Sequence, residues 1–252
     1  MTGTEAKVLA EKQGDVLSLT LNTPAKGNCL APDAVEDLLE ILGSADGVRM
    51  ATIRGNGKHF CTGFDLSDIQ DLSDGDLLWR LVRIEMLLQR VHKSPFPIVA
   101  FAQGQVVGAG ADLFAACWRR VATDNARFRM PGWNFELALG TRRLSQLIGT
   151  DKARDMLIDT RQATAAEAQD FGLVTDVADS GSWPDLADAM AQRARSLPAN
   201  ASREMMRLTG QDTDDLDLAA LVRTAGRPGL KQRIIDYREK AMRAAREKRN
   251  AS

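Results

Sequence analysis

Residues 97–122 read PIVAFAQGQVVGAGADLFAACWRRVA, and this stretch decides the fold. The apolar run from Ile98 to Ala102 predicts a buried strand, the glycines at 104, 108 and 110 predict a turn, and ADLFAACW resumes with the spacing of a helix. The first N–H groups of a helix have no partner within it, so a strand that turns into a helix exposes these donors above the turn. The stretch therefore predicts a site for an oxyanion.

A second stretch, His59 to Leu66 (HFCTGFDL), has the same organisation. It follows the strand-like run Val48 to Ile53 and places Gly63 just before Phe64, and we expect a helix to begin near the next residue, Asp65. Two glycine-marked strand ends can direct two backbone N–H groups at one carbonyl oxygen. The pair therefore predicts a two-amide oxyanion hole.

These motifs resemble a known family. Phe60 to Leu66 is similar to the F-S-A-G-A-D-L segment of the crotonase (enoyl-CoA hydratase/isomerase) superfamily, and Gly104 to Leu113 resembles its G-x-x-x-G-G-G-x-E-L segment. Residues 16–30 (VLSLTLNTPAKGNCL) are similar to the family's early strand and P-x-x-x-N-A-L loop, and residues 140–177 to its later helical half. The resemblance covers nearly the whole chain.

The resemblance implies an α/β fold, a spiral of repeated ββα units with two near-perpendicular sheets. We expect this spiral in residues 1–195 and a C-terminal helical region in residues 196–252, which serves as a lid or in trimerisation. It also implies a homo-oligomer, a trimer or a hexamer.

The resemblance further implies an acyl-CoA thioester as substrate, with coenzyme A as part of the substrate and no prosthetic group. The Phe64 and Ala109 N–H groups match the oxyanion donors, and Ala109 replaces a glycine of the family pattern. Asp112 matches a glutamate of the hydratases and is the expected proton carrier. Its alternative role is to complement the dipole of the helix that it begins.

Residues 127–144 (RFRMPGWNFELALGTRRL) resemble the family's F-x-x-P-E-x-x-x-G segment but carry Gly132 where hydratases have their second glutamate. Glu136 can substitute for it if a shortened loop turns its side chain inward; otherwise it is a surface carboxylate. With one matched carboxylate, double-bond migration is favoured over hydration, which uses two to hold water and move a proton.

Several side chains fall in segments that meet CoA in the family. Lys26 is either a ligand of a CoA phosphate or a solvated loop lysine, and Lys231 lies in the helix that resembles the family's C-terminal lid. The remaining candidates for CoA contact are Cys29, Thr62, Asp65 and Leu66.

Composition limits the function classes. The 252-residue chain has a net charge of −1, which argues against a protein that binds nucleic-acid phosphates. No apolar run is long enough for a membrane span, and the start MTGTEAKV lacks signal-peptide features, so we expect a cytoplasmic protein. With two histidines and one tyrosine, a histidine-rich metal site cannot form, and proton transfer depends on carboxylates.

Three alternatives remain at this stage. The protein could be a catalytically silent CoA-binding member of the fold, for which Gly132 is the supporting feature. Cys61 could be a nucleophile beside the site, although small buried cysteines are common. The glycines of GQVVGAG could bind a nicotinamide nucleotide, but their spacing is not G-x-G-x-x-G.

Overall fold

The computed structural model describes residues 6–250, which form two sheets surrounded by helices. The larger sheet has the order β1-β2-β3-β4-β6-β9 and the smaller has the order β5-β7-β8. The strands are β1 (Val8–Gln13), β2 (Val16–Leu21), β3 (Met50–Gly55), β4 (Ile98–Ala102), β5 (Gln105–Val107), β6 (Arg119–Ala122), β7 (Arg127–Arg129), β8 (Ala163–Thr164) and β9 (Asp176–Val177). Within the larger sheet, only the β1-β2 hairpin is antiparallel.

Ten helices accompany these strands in the described part of the chain. They are α1 (Pro32–Gly43), α2 (Asp74–His92), α3 (Ala109–Ala116), α4 (Thr141–Ile148), α5 (Thr150–Asp159), α6 (Ala165–Asp170), α7 (Trp183–Arg195), α8 (Ala199–Thr209), α9 (Asp214–Ala225) and α10 (Leu230–Asn250). The strand and the helix predicted for residues 97–122 are confirmed as β4 and α3, whereas the stretch between Gly104 and Gly108, predicted as part of a turn, forms the short strand β5.

The chain repeats one unit: a strand of the larger sheet, a strand of the smaller sheet, then a helix. The units β4-β5-α3 and β6-β7-α4 follow one another in this way, and a bridge between Cys61 and Val106 brings the chain after β3 beside β5. This is the expected spiral of ββα units. It stacks the ends of successive strands, and therefore the two glycine-marked turns, on one side of the molecule.

Both faces of β4 are buried, which explains its uninterrupted apolar sequence. Ile98, Ala100 and Ala102 belong to the main core, whereas Val99 and Phe101 belong to a second cluster that contains Trp183 of α7. Successive residues of a strand point to opposite faces, so a central strand covered on both sides must be apolar throughout.

The expected helix at Asp65 is wrong, because α2 begins only at Asp74. The Asp65 carboxylate accepts the N–H of Ser67 at 2.9 Å, a local turn that competes with helix formation. The helix starts instead at Ser73, whose side chain and that of Asp76 form a capping box. The Phe64 amide therefore lies in an extended turn, not at a helix N-terminus.

The C-terminal part follows the sequence pattern, since α8 begins directly after Pro198 and α10 after Pro228. The N-terminus of α10 is held by Asp74 of α2, whose carboxylate accepts the N–H groups of Gly229, Leu230 and Lys231 at 2.8 to 3.2 Å. These bonds fix α10 across the end of α2. A domain boundary at residue 195 stays a prediction.

Candidate active site

A cavity of about 910 Å³, including its open mouth, lies where the two glycine-marked turns meet the C-terminal helix. Its walls are mostly apolar and come from the loop after β3, from β5 and α3, from residues 130–139, from α5 and from α10. The lining residues are Thr62, Phe64, Leu66, Leu81, Val107, Gly108, Ala109, Asp112, Met130, Pro131, Gly132, Trp133, Phe135, Leu137, Leu139, Leu157, Ile234 and Tyr237. Asp112 is the only charged residue among them.

The two predicted oxyanion donors lie side by side in this wall. A Cβ added to Gly63 would be 2.6 Å from the Val107 oxygen and 3.2 Å from the Ala109 nitrogen, so only glycine allows this approach. Neither the Phe64 nor the Ala109 N–H donates to a protein acceptor among the hydrogen bonds of residues 6–250. Ala109 has an ordinary negative φ, so alanine is tolerated where the family pattern has glycine.

Asp112 lies in the first turn of α3 and is only 5% exposed. Its Oδ1 has no hydrogen-bond partner among the described atoms, and burial raises the pKa of this carboxyl well above its usual range. Gly140 packs directly against it, because a Cβ at this position would be 1.9 Å from Oδ1. A buried, unpaired carboxylate beside an apolar cavity is typical of a proton-transfer group.

A buried ionic cluster lies behind Asp112. The side chains of Glu85 on α2 and Arg143 on α4 form an ion pair in which both are at most 5% exposed. Asp217 on α9 lies 3.8 Å from the Arg143 guanidinium and also accepts from Arg142 at 3.1 Å. The sequence analysis missed this cluster. The available signal was Glu85, a charged residue between Leu81 and Leu88 on the apolar face of α2.

Glu136 does not enter the cavity. It ends a short 3₁₀ turn with φ of 60°, and its side chain points outward to an ion pair with Arg227 at 3.2 Å. Its neighbours Phe135 and Leu137 line the cavity in its place. The structure thus corrects the expectation that the shortened loop turns Glu136 inward, and Gly132 contributes no carboxylate to this wall.

The candidate CoA-contacting residues fall into two groups. Thr62 and Leu66 line the cavity, whereas Cys29 is buried and lies outside its wall. Asp65 pairs with the exposed Lys26 at 3.5 Å, and Lys26 also donates to Ser67 at 3.1 Å, so this cation lies beside the 62–66 loop.

Asn28 holds the first loop against the second. Its buried side chain donates to the Asn56 and His59 carbonyls and accepts the Thr23 N–H at 3.0 Å. This asparagine joins its own loop to residues 28 and 31 positions further along the chain. Its structural importance was not recognised from the sequence.

Lys231 lies in the first turn of α10, and its Nζ donates to the Gln70 carbonyl. It does not line the cavity; Ile234 and Tyr237, further along α10, do so. The Tyr237 ring packs on Phe135 with centroids 5.3 Å apart, which closes the cavity between α10 and residues 130–139. The C-terminal helix thus forms a wall of the cavity of its own chain.

Other chemistries find less support in the described residues. Cys61 is fully buried and burial raises the pKa of its thiol to about 12, so a reactive thiolate is disfavoured. Within residues 6–250, no cluster of three or more histidine, cysteine or acidic side chains could hold a metal ion. No helix in the same range combines the length and apolar character needed to cross a membrane.

The comparisons with known proteins identify the family of this chain. Residues 11–252 match the family model of enoyl-CoA hydratase/isomerase, and the chain therefore belongs to this family, within the crotonase superfamily. A crystal structure from Bordetella parapertussis that carries the enoyl-CoA hydratase/isomerase name is 43% identical, with a TM-score of 0.91, covering 92% of this chain and 98% of that chain.

Two further relatives carry names with different reactions. The 2,3-dehydroadipyl-CoA hydratase of Escherichia coli is 32% identical over 201 residues, 77% of this chain and 78% of the relative. A monofunctional enoyl-CoA isomerase from M. smegmatis is 27% identical, with a TM-score of 0.68, covering 80% of this chain and 91% of that chain. With some other curated relatives the match spans 64% to 70% of the relative's length.

Proposed function

We propose that the cavity binds the acyl end of an acyl-CoA thioester and that the protein moves a proton at the carbon beside the thioester carbonyl. The observation that carries this proposal is the single buried carboxylate of Asp112, with an unpartnered Oδ1, in a cavity whose lining also contains Phe64 and Ala109. Two such donors would stabilise an enolate oxygen, and the loss of one donor of this kind typically costs about 3–4 kcal/mol in the barrier.

The reaction that these groups support best is double-bond migration. Asp112 removes a proton from the carbon next to the carbonyl of a 3-enoyl thioester, and the electron pair of the broken C–H bond delocalises onto the thioester oxygen. The same carboxyl group returns the proton two carbons further along, which restores the carbonyl and leaves a 2-enoyl thioester. One carboxylate and no water molecule are needed, so the step is balanced.

Hydration is less well supported, because water must be held and activated while a second proton moves. Gly132 and the outward Glu136 leave no second carboxylate in the lining. Since the relatives include one named as a hydratase and one as an isomerase, their names do not select the reaction. The count of carboxylates in the cavity is what favours migration.

The rim supports the proposal for the rest of the ligand. Lys26 lies beside the 62–66 loop and can pair with a CoA phosphate if it leaves Asp65. Lys231, three residues before the lining residue Ile234 on α10, is the second candidate cation. Coenzyme A would enter as part of the substrate, and the proposal needs no prosthetic group. An oligomer of three or six chains stays a prediction from the family resemblance.

The test is a panel of acyl-CoA esters in heavy water. With a 3-enoyl-CoA we expect formation of the conjugated 2-enoyl thioester and deuterium at the carbons beside the double bond, faster than any conversion of a 2-enoyl-CoA to a 3-hydroxy ester. Hydration at a rate equal to or above that of migration would overturn the preference.

The second candidate function, a catalytically silent CoA binder, is favoured by the same missing carboxylate. It predicts that CoA esters raise the thermal unfolding temperature while no substrate in the panel exchanges a proton above background. Exchange with any one ester excludes it.

A further inference from the structure

The ionic cluster behind the cavity is the most unusual feature that the proposed reaction does not use. Its charged side chains lie on three helices: Glu85 on α2, Arg143 on α4 and Asp217 on α9. The helices α2 and α4 pack against α3, and α9 packs against α2. Each of the three side chains is at most 8% exposed. Burying charges is costly, and replacing a buried ion pair by apolar side chains is often neutral or stabilising. Stability alone therefore does not explain the cluster.

Two polar atoms at the border of this cluster lack partners within the described chain. One is Oδ1 of Asp112 and the other is Nη1 of Arg143, both buried. Gly140 contacts the Asp112 carboxylate, and Arg143 is three residues further along, less than one turn into α4. The first turn of α4 therefore brings a guanidinium with a free N–H group to the side of α3 that bears Asp112.

We propose that Arg143 is a positioning residue for Asp112: its buried guanidinium, held in place by Glu85 and Asp217, supplies the counter-charge that lets Asp112 ionise inside an apolar cavity. This inference rests on the proposed proton transfer, because a carboxylate that removes a proton must first be ionised. Asp112 needs such help, since a lone charge in a desolvated site is strongly disfavoured.

The charges around Asp112 have opposite effects. Arg143 lowers the pKa of Asp112 and Glu85 raises it, while burial raises it most. The other titratable groups on the surrounding elements are His92 on α2, Arg142 on α4, Asp217 on α9 and Tyr237 on α10. Burial lowers the pKa of His92, which therefore stays neutral near neutral pH. Among the described residues around Asp112 named here, Arg143 is thus the buried cation, and Glu85 weakens its effect on the pKa of Asp112.

Arg143 and Glu85 shift the pKa of Asp112 in opposite directions, so removing each charge separately gives a result that a purely structural role would not produce. Glu85→Gln removes one of the two negative charges beside Arg143 and leaves only Asp217, so the pKa of Asp112 should fall below that of the wild type. Arg143→Gln removes the cation, so this pKa should rise, and Arg143→Lys should restore it in part. We expect the Asp112 pKa values of the two glutamine variants to lie on opposite sides of the wild-type value and about one pH unit apart, the order of magnitude of a single charge's effect on a buried carboxyl.

The measurement is a pH titration of the intact protein with ¹³C at the aspartate carboxyl carbons, in which Asp112→Asn identifies the resonance of Asp112. Glu36→Gln is the matched control, because it breaks an ion pair to Arg83 on the exposed side of the same helix and should leave the titration unchanged. If Arg143→Gln does not fold, Asp217→Asn serves as a second variant, and it should lower the pKa as Glu85→Gln does.

Shifts of Glu85→Gln and Arg143→Gln in the same direction, no shift in Glu85→Gln, or a rise of the Asp112 pKa in Asp217→Asn would overturn the proposal. The titration needs no substrate, so it remains decisive even if the proposed reaction fails. Conversely, opposite shifts without any proton exchange in the ester panel would retain the electrostatic pairing and reject the reaction. Where exchange is found, the acidic limb of its pH profile should move with the titration.

Discussion

Two walls of the cavity match segments of the family pattern, but they differ in the polar groups that they contribute. The first, called here the α3 wall, is formed by the 62–66 loop and α3 and contains the Phe64 and Ala109 amides and the buried Asp112. The second, formed by residues 130–139, has Gly132 in place of a carboxylate, and its Glu136 side chain points to solvent. Under the proposed function, the first wall would stabilise an enolate, whereas the cavity lacks the second carboxylate that hydration requires. The α3 wall should therefore carry the chemistry, and the 130–139 wall should shape the pocket.

The largest expected effect is that of Asp112→Asn. The amide keeps the size of the side chain but cannot accept and return a proton, so turnover and proton exchange should fall by about 10²–10⁴-fold. Binding of a CoA ester should stay near the wild-type value, because the amides and the apolar walls are unchanged. Timed exchange assays measure turnover and proton exchange, and calorimetric titration measures binding of the CoA ester. Normal turnover would exclude Asp112 as the proton carrier.

Gly140→Ala should have the next largest effect on turnover. The new Cβ would overlap the Asp112 carboxylate, so Asp112 or the start of α4 must move, and a displacement of about 1 Å costs about 10²-fold in rate. Gly149→Ala is the matched control, since Gly149 also has positive φ before a helix but nothing lies within 4 Å of its added Cβ. Equal losses of turnover in both variants would attribute the effect to backbone strain alone.

Asp112→Asn should also have a smaller effect on stability, which is a gain, in contrast to its loss of turnover. The folded protein raises the pKa of Asp112, so the native state holds this proton more tightly than the unfolded chain, and the wild type loses stability as pH rises from about 4 through the native pKa. Asparagine has no such loss. We expect the free energy of unfolding of Asp112→Asn to exceed that of the wild type by about 1 kcal/mol at about pH 7. Its unfolding temperature should then be roughly 2–4 °C higher.

Thermal unfolding of both proteins across a pH series measures this effect, and the gain should shrink toward about pH 4. A constant difference at all pH values, or a loss of stability, would mean that Asp112 is paired in solution and not isolated. Together with the loss of turnover, the expected gain would show that the α3 wall holds its carboxylate at a cost in stability.

Local patterns predicted most of the fold. The strand β4 and the helix α3 were predicted from short-range signals and are confirmed. The β1-β2 hairpin, which turns at Gly14, and the capping box of Thr164 and Glu167 carry signals of the same short range. The helix expected at Asp65 failed because a side-chain hydrogen bond to Ser67 formed a turn that periodicity does not reveal. The lining residues Thr62, Phe64, Leu66, Ala109 and Asp112 could be named because each lies within a few residues of a motif glycine.

The rest of the site depends on long-range contacts. The pairing of Glu85 with Arg143 joins positions 58 residues apart, and the bonds from α10 to Asp74 join positions more than 150 apart. No spacing rule predicts such partners. The orientation of the Glu136 side chain could not be predicted from the sequence either. It depends on the positive φ of Glu136 itself and on Arg227, which is 91 residues away.

Glu136→Gln should have the smallest effect and is the sharpest check on the difference between the walls. The ion pair to Arg227 is more than half exposed on both sides, and such pairs contribute about 0–1 kcal/mol, so stability should barely change. Turnover should stay within about twofold of wild type, because no proton passes through a carboxylate outside the cavity. The variant is isosteric and keeps a side chain that can occupy the same conformation, so it tests charge alone. A loss of turnover comparable to that of Asp112→Asn would mean that Glu136 turns inward when substrate binds, and a two-carboxylate hydration would then replace double-bond migration as the better account of this site.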